Sequence, residues 1–234
     1  RLLYKEEIRT CGKDAKNIVS LGTAGFVMQL TNSLVSICCN NVLSATGGDV
    51  YVSVMTIISS VRQMIETPIW SISEGSSPVI SYNYGAKRPK KVIEAWITMS
   101  VLALIYSLIA WSVILFAPKF LIGIFSSDKS LMIDTVPAMK LYFSAFIFML
   151  FQYTGQTMFK SLNKKKQAIF FSILRKVIIV VPMTYMFPYV FHMGSNGVFM
   201  AEPVSNVIGG SLCFIVMLLT VLPELKQMNS DLSS

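Results

Sequence analysis

SSPVISYNYGAKRPKK, Ser76–Lys91, places two tyrosines and then Lys87, Arg88, Lys90 and Lys91 between two long apolar runs. A polar, aromatic and basic knot in so greasy a chain fits the point where a membrane-spanning helix leaves the bilayer. The composition outside it agrees. Of 234 residues 53% are hydrophobic and 14% charged, where a soluble domain carries about 25% charged residues. Too few charges remain to cover a water-facing surface. Working outward, six runs reach the roughly 20 apolar residues that a helix needs to cross a bilayer core: Ile18–Val42, Val50–Ser73, Val92–Phe116, Val136–Phe159, Ala168–Val190 and Val198–Leu222.

In hydrocarbon every backbone N–H and C=O must pair within the segment, so spans are helices or closed barrels. Barrel strands alternate over about ten residues; these runs are longer and continuously apolar. The sequence therefore predicts an all-α, polytopic membrane bundle of six transmembrane helices. Residues 1–17 read as a basic lead-in, 18–222 as the helical lobe and 223–234 as a tail. The chain starts at Arg1 with no signal-type segment before the first run, so it reads as a fragment of something longer.

A net charge of +8 would suggest nucleic acid in a soluble protein. Here the cations fall on one side, and nucleic acid is not an expected partner. Arg1, Lys5, Arg9, Lys13 and Lys16 precede the first run, the knot follows the second, and Lys160, Lys164, Lys165 and Lys166 follow the fourth. The opposite loops hold Lys119 and Lys129. Basic loops stay cytoplasmic, which predicts both termini there and lysines against anionic lipid. Gly85 is the expected left-handed helix terminator, and Pro89 the start of the next helix. Ser44–Asp49 reads as a tight outer turn, and Ala117–Asp134 as a longer outer connection with a short interfacial helix. The four cysteines show no metal or disulfide spacing and read as small buried hydrophobes.

Ionisable groups at membrane depth cost about 2.5–3.5 kcal/mol each on insertion scales and mark functional sites by default. In VRQMIETP, Arg62 and Glu66 lie four apart on one helix face. Pro68 leaves the carbonyl of Met64 unbonded and favours a bend. The pair lines a polar cavity, or neutralises itself at a packing face. Glu74 faces a vestibule or interfacial water. Gln29 with Asn32, and Gln152 with Gln156, share helix faces and either line the same cavity or join helices. Glu202 with Pro203 opens the last run, where a carboxylate suits the helix dipole and contact with substrate or ion is a further role. Lys140, Arg175 and Lys176 are read as snorkelling to the interfaces, which leaves Arg62 as the deep cation. His192 suits a capping position, and Gly209–Gly210 a close helix approach.

The stretch Val61–Val92 resembles the MATE family of multidrug and toxic compound extrusion transporters. The resemblance rests on the Arg62…Pro68 spacing, Gly75-x-x-Pro78 and, above all, Ser81-Tyr82-Asn83-Tyr84-Gly85-Ala86-Lys87 before a basic turn. Phe151–Ala168 and Ala201–Asn206 are similar to later parts of such a lobe. The resemblance implies the C-terminal six-helix lobe of a two-lobe carrier, with the N-terminal lobe as partner, in the plasma membrane. It also implies export of cationic or polyaromatic compounds in exchange for protons or sodium, with no other cofactor. Glu66 would attract the cation, with Arg62 orienting it and Glu74 and the amides completing the wall. Asn206 is neutral where some relatives carry an acid, which argues against ion coupling there.

Two other classes fare worse. A lipid-linked oligosaccharide flippase of the same superfamily calls for a more basic cleft than Arg62 alone supplies. An intramembrane serine protease needs a nucleophile and a histidine from different spans at membrane depth; Ser195 lies three residues after His192 in one turn. A non-transporting scaffold is separated from a carrier by ion-coupled flux.

Overall fold

Apolar side chains and the demand for paired backbone groups make each of the six runs helical. The structure is a computed structural model. It describes residues 5–231, with side chains continuous from Gln29 onward and sparse before it. Residues 1–4 of the lead-in and 232–234 of the tail lie outside the described residues. No strand occurs among the described residues.

Helix α1, Lys5–Gly85, is two limbs joined at Gly48, whose φ of 71° and ψ of −169° suit glycine. An unbroken helix would hold Asn32 and Arg62 about 45 Å apart at 1.5 Å per residue. They line one pocket, so the chain folds back at Gly48, inside the expected Ser44–Asp49 turn. The second limb runs on past the apolar run's end at Ser73, as expected. It continues to Gly85 with helical backbone angles through Pro68 and Pro78. Gly85 is not its left-handed terminator. Lys87 takes that role, with φ of 54°. The Lys87 N–H donates to Tyr84 O at 3.0 Å and the Arg88 N–H to Asn83 O at 2.9 Å. That paired closure places its positive-φ residue two positions beyond Gly85.

After the knot comes α2, Pro89–Phe116, then α3, Pro118–Phe125, the short helix expected between spans. The run Val136–Phe159 is not one helix. It forms α4, Lys129–Tyr142, and α5, Phe148–Ser161, around a break at 143–147. In the break the chain tightens to i→i−3 bonds, such as Phe146 N–H to Phe143 O at 3.1 Å. Trp111 Nε1 donates to the Phe143 carbonyl at 3.0 Å, so the break is satisfied from α2. Two further helical rods follow. The first is α6, Lys165–Ile173, a π turn at Leu174–Val180, and α7, Val181–Tyr189. The second is α8, Ser195–Ser205, a π turn at Asn206–Gly210, and α9, Ser211–Asp231. Gln29–Gly85, Pro89–Phe116, Lys165–Tyr189 and Ser195–Ser230 are long and apolar enough to cross a membrane. The first contains the second run and the latter part of the first, and the broken fourth run yields no such helix.

Two apolar cores fill the bundle. One, with Leu43, Ile58, Phe143 and Phe199, lies toward the Gly48 turn. The other, with Ile80, Met158, Phe159 and Leu225, lies under the basic knot. The knot is clasped to its neighbours. Ser77 Oγ meets Ser161 Oγ at 2.8 Å, Ser81 Oγ donates to Ser161 O at 3.0 Å, and the Tyr84 hydroxyl donates to Glu224 at 2.5 Å. The motif residues thus tie α1 to α5 and α9. Asn83 bonds back to Val79 O, and Tyr82 and Lys87 are exposed. Cys39 and Cys213 are buried and free, and Cys38 half-buried and free.

Candidate functional site

Polar groups from six elements meet where the two apolar cores leave space. A cavity of about 420 Å³ lies between both limbs of α1, α4, α5, the first π turn and α8. Its size suits a small-molecule site. Gln29 and Asn32 come from the first limb, and Arg62, Glu66 and Trp70 from the second. Tyr142, Tyr153, Lys176 and Glu202 complete the polar wall. A smaller pocket of about 100 Å³ adjoins it, lined by Asn32, Arg62, Glu66, Gln152, Tyr153, Gln156, Ser172, Arg175 and Lys176.

The ionisable groups form one network. Arg62 Nε donates to Glu66, as the four-residue spacing predicts. The Tyr153 hydroxyl donates to the other Glu66 oxygen at 3.1 Å, and Arg62 Nη1 donates to the Tyr142 hydroxyl at 2.9 Å. On the facing rods Arg175 Nη2 and Lys176 Nζ both donate to Glu202 Oε1 at 3.0 Å, and Arg62 Nη2 stands 3.7 Å from it. Arg175 Nη1 donates to Asn206 Oδ1 at 2.6 Å. Arg175, Lys176 and Glu202 are only 5–6% exposed. Charges so placed persist only when paired and hydrogen-bonded.

Arg175 and Lys176 are therefore not snorkelling cations, and Arg62 is not the sole deep one. The reason is local. On an α-helix successive side chains diverge by about 100°. A π turn spreads more residues over each turn, so two neighbours turn toward one carboxylate. The second π turn begins at Asn206, one turn after Glu202, and presents the other side of the network. Gly209 and Gly210 make room for it. A Cβ on Gly209 would meet Arg175 Cγ at 2.8 Å, and one on Gly210 would meet the Phe148 carbonyl oxygen at 2.5 Å.

The sequence-derived candidates divide into three groups. Gln29, Asn32, Arg62, Glu66 and Glu202 line the larger cavity, and Gln152 and Gln156 line the smaller pocket. Gln156 also donates to Ala168 O at 3.3 Å, joining α5 to α6. Asn206 is buried behind the cavity on Arg175. Glu74 lines neither pocket; it pairs with Lys160 at 2.8 Å. Sequence reasoning left Trp70, Tyr142 and Tyr153 unmarked, because aromatics at helical spacing fit any core. It misplaced Arg175 and Lys176 despite a usable signal: two adjacent cations about 10 Å inside an apolar run at helical rise.

The family model MatE matches residues 25–186, more than half of the chain. The chain belongs to the MatE family, a family of transporters. This MatE chain is also similar to solved transporters. A crystal structure of MATE in the bent conformation is 18% identical, with TM-score 0.82, over 100% of this chain and 49% of the other. An inward-facing multidrug resistance MATE transporter of the MOP superfamily is 19% identical, with TM-score 0.79, over 98% and 50%. A MOP superfamily transporter from Pyrococcus furiosus, for which reverse polarity of the binding pocket suggests a different function, is 19% identical, with TM-score 0.81, over 97% and 49%. At these identities the likeness establishes the fold. The chain spans about half the length of these structures, consistent with one lobe of a two-lobe carrier. No curated relative matches it.

Proposed function

We infer that this MatE chain is one lobe of a secondary antiporter of the plasma membrane. It exports cationic or polyaromatic drugs or toxins in exchange for protons or sodium, together with an N-terminal six-helix lobe. One observation carries the reading: a charged cleft of about 420 Å³ sits inside a bundle whose outer face is apolar. Such a cleft is costly to maintain and serves a polar passenger. Trp70, Tyr142 and Tyr153 give it aromatic walls for a flat substrate. Glu66 lines both pockets and is held by Arg62 and Tyr153, so a coupling ion or a cationic group competes with Arg62 for it. That competition supplies the differential affinity that a change of state requires. The test is flux in vesicles reconstituted with the full transporter. Substrate-dependent proton or sodium movement is expected, and Glu66→Gln is expected to lower it. Full-rate export by that variant refutes the role of Glu66.

Arg175 and Lys176 favour a second reading, the lipid-linked oligosaccharide flippase of the same superfamily. Its basic cleft is met by three deep cations. Translocation of a lipid-linked phosphate-bearing saccharide without substrate-dependent ion flux selects it.

A further inference from the structure

We propose that the deep end of the cleft, where the smaller pocket meets Arg175 and Lys176, is a binding site for an anionic group. The inference rests on the transporter reading but departs from its cationic substrate class, toward the phosphate-bearing substrate of the second reading. The network holds three cations, Arg62, Arg175 and Lys176, against two carboxylates, Glu66 and Glu202. Only Glu66 among the carboxylates lines the smaller pocket, together with all three cations. One basic side chain is thus left without a carboxylate of its own at the wall of the pocket, and an anion there completes the pairing.

The hydrogen-bond inventory agrees. An ammonium has three N–H groups. Lys176 Nζ donates one to Glu202 and lines both pockets. Gln152, 5% exposed, also lines the smaller pocket, with its Oε1 buried and unpartnered. As placed that oxygen is an acceptor; with the amide turned over, its two N–H groups face the same space and serve an anion. A pocket of about 100 Å³ accommodates a carboxylate, a phosphate oxygen cluster or a halide, while the larger cavity holds an attached aromatic body against Trp70 and the tyrosines. The anion comes either from the substrate itself or as a free inorganic ion.

The test is calorimetric titration of the full-length transporter in detergent with two probes of one ring system, 2-naphthoate and 2-naphthylmethylammonium. The anion is expected to bind on the order of tenfold tighter, the scale of one hydrogen bond to a charged group. Equal or tighter binding of the ammonium overturns the proposal. Lys176→Gln leaves two cations for two carboxylates and is expected to lose the preference with only a small fall in its thermal transition. A folded variant that keeps the preference also overturns the site. The wild-type comparison stands even where that variant does not fold. Displacement of naphthoate by chloride assigns the pocket to a free anion, and the absence of displacement assigns it to the substrate's own group. Binding needs no flux, so a carrier without ion exchange and a cleft without anion preference are separate failures.

Discussion

Glu202 is the residue on which the charged network turns. It takes hydrogen bonds from Arg175 and Lys176 and faces Arg62. Breaking a buried pair costs about 3–5 kcal/mol, because the remaining charge stays unpaired in low dielectric. Glu202→Gln is therefore expected to lower the thermal transition in detergent sharply, with much the smaller loss for Lys176→Gln; similar losses would mean that charge balance is not what holds the cluster. At this scale the sequence was legible where partners lie on one helix. Arg62 and Glu66 meet at the distance their spacing sets. Glu202 was marked but its partners were not, since they come from another rod and no local spacing announces them.

Elements explain the misplacements. The π turns aim Arg175, Lys176 and Asn206 inward, and no propensity pattern marks a π turn in an apolar run. The glycines beside them are tested directly. Gly210→Ala drives a Cβ against the Phe148 carbonyl oxygen, and a backbone atom cannot rotate away. A loss of about 1–3 kcal/mol, typical of overpacking, is expected in thermal melts; an unchanged transition would show that α5 and the second π turn have slack. The N-terminus of α4 carries a pH dependence. Asp128 accepts from the Ser130 N–H at 2.8 Å and its hydroxyl at 2.7 Å. These bonds hold its carboxyl below the ordinary range. A lowered folded pKa gives a contribution that is complete above the unfolded value of about 3.9 and is lost as pH falls through the folded one. Hydrogen exchange at Ser130, corrected for intrinsic rates, is expected to lose protection below about pH 4. Asp128→Ala is expected to remove that step.

The whole molecule turns its apolar surface outward. Leu102, Ile105 and Ile109 on α2 are exposed, while Met99, Ala103 and Ala110 face the interior. For a multi-pass membrane protein that outer stripe meets lipid. Leu102→Lys, midway along α2, is expected to cost about 2.5–3.5 kcal/mol on insertion. It is read as a smaller membrane-inserted fraction, and an unchanged fraction would place that face in water or against protein.

The sequence alone determined that the chain is helical and membrane-embedded, where it turns, and that Arg62 and Glu66 share a face. Those properties follow from hydropathy, glycine and proline chemistry and spacing within one segment. Tertiary structure decided that Glu74 leaves the cavity for Lys160, that the fourth run breaks at 143–147, and that Arg175 and Lys176 join Glu202. Each outcome depends on a partner distant in sequence. A buried charge takes the orientation its partner fixes, and that partner is known only once the helices have packed.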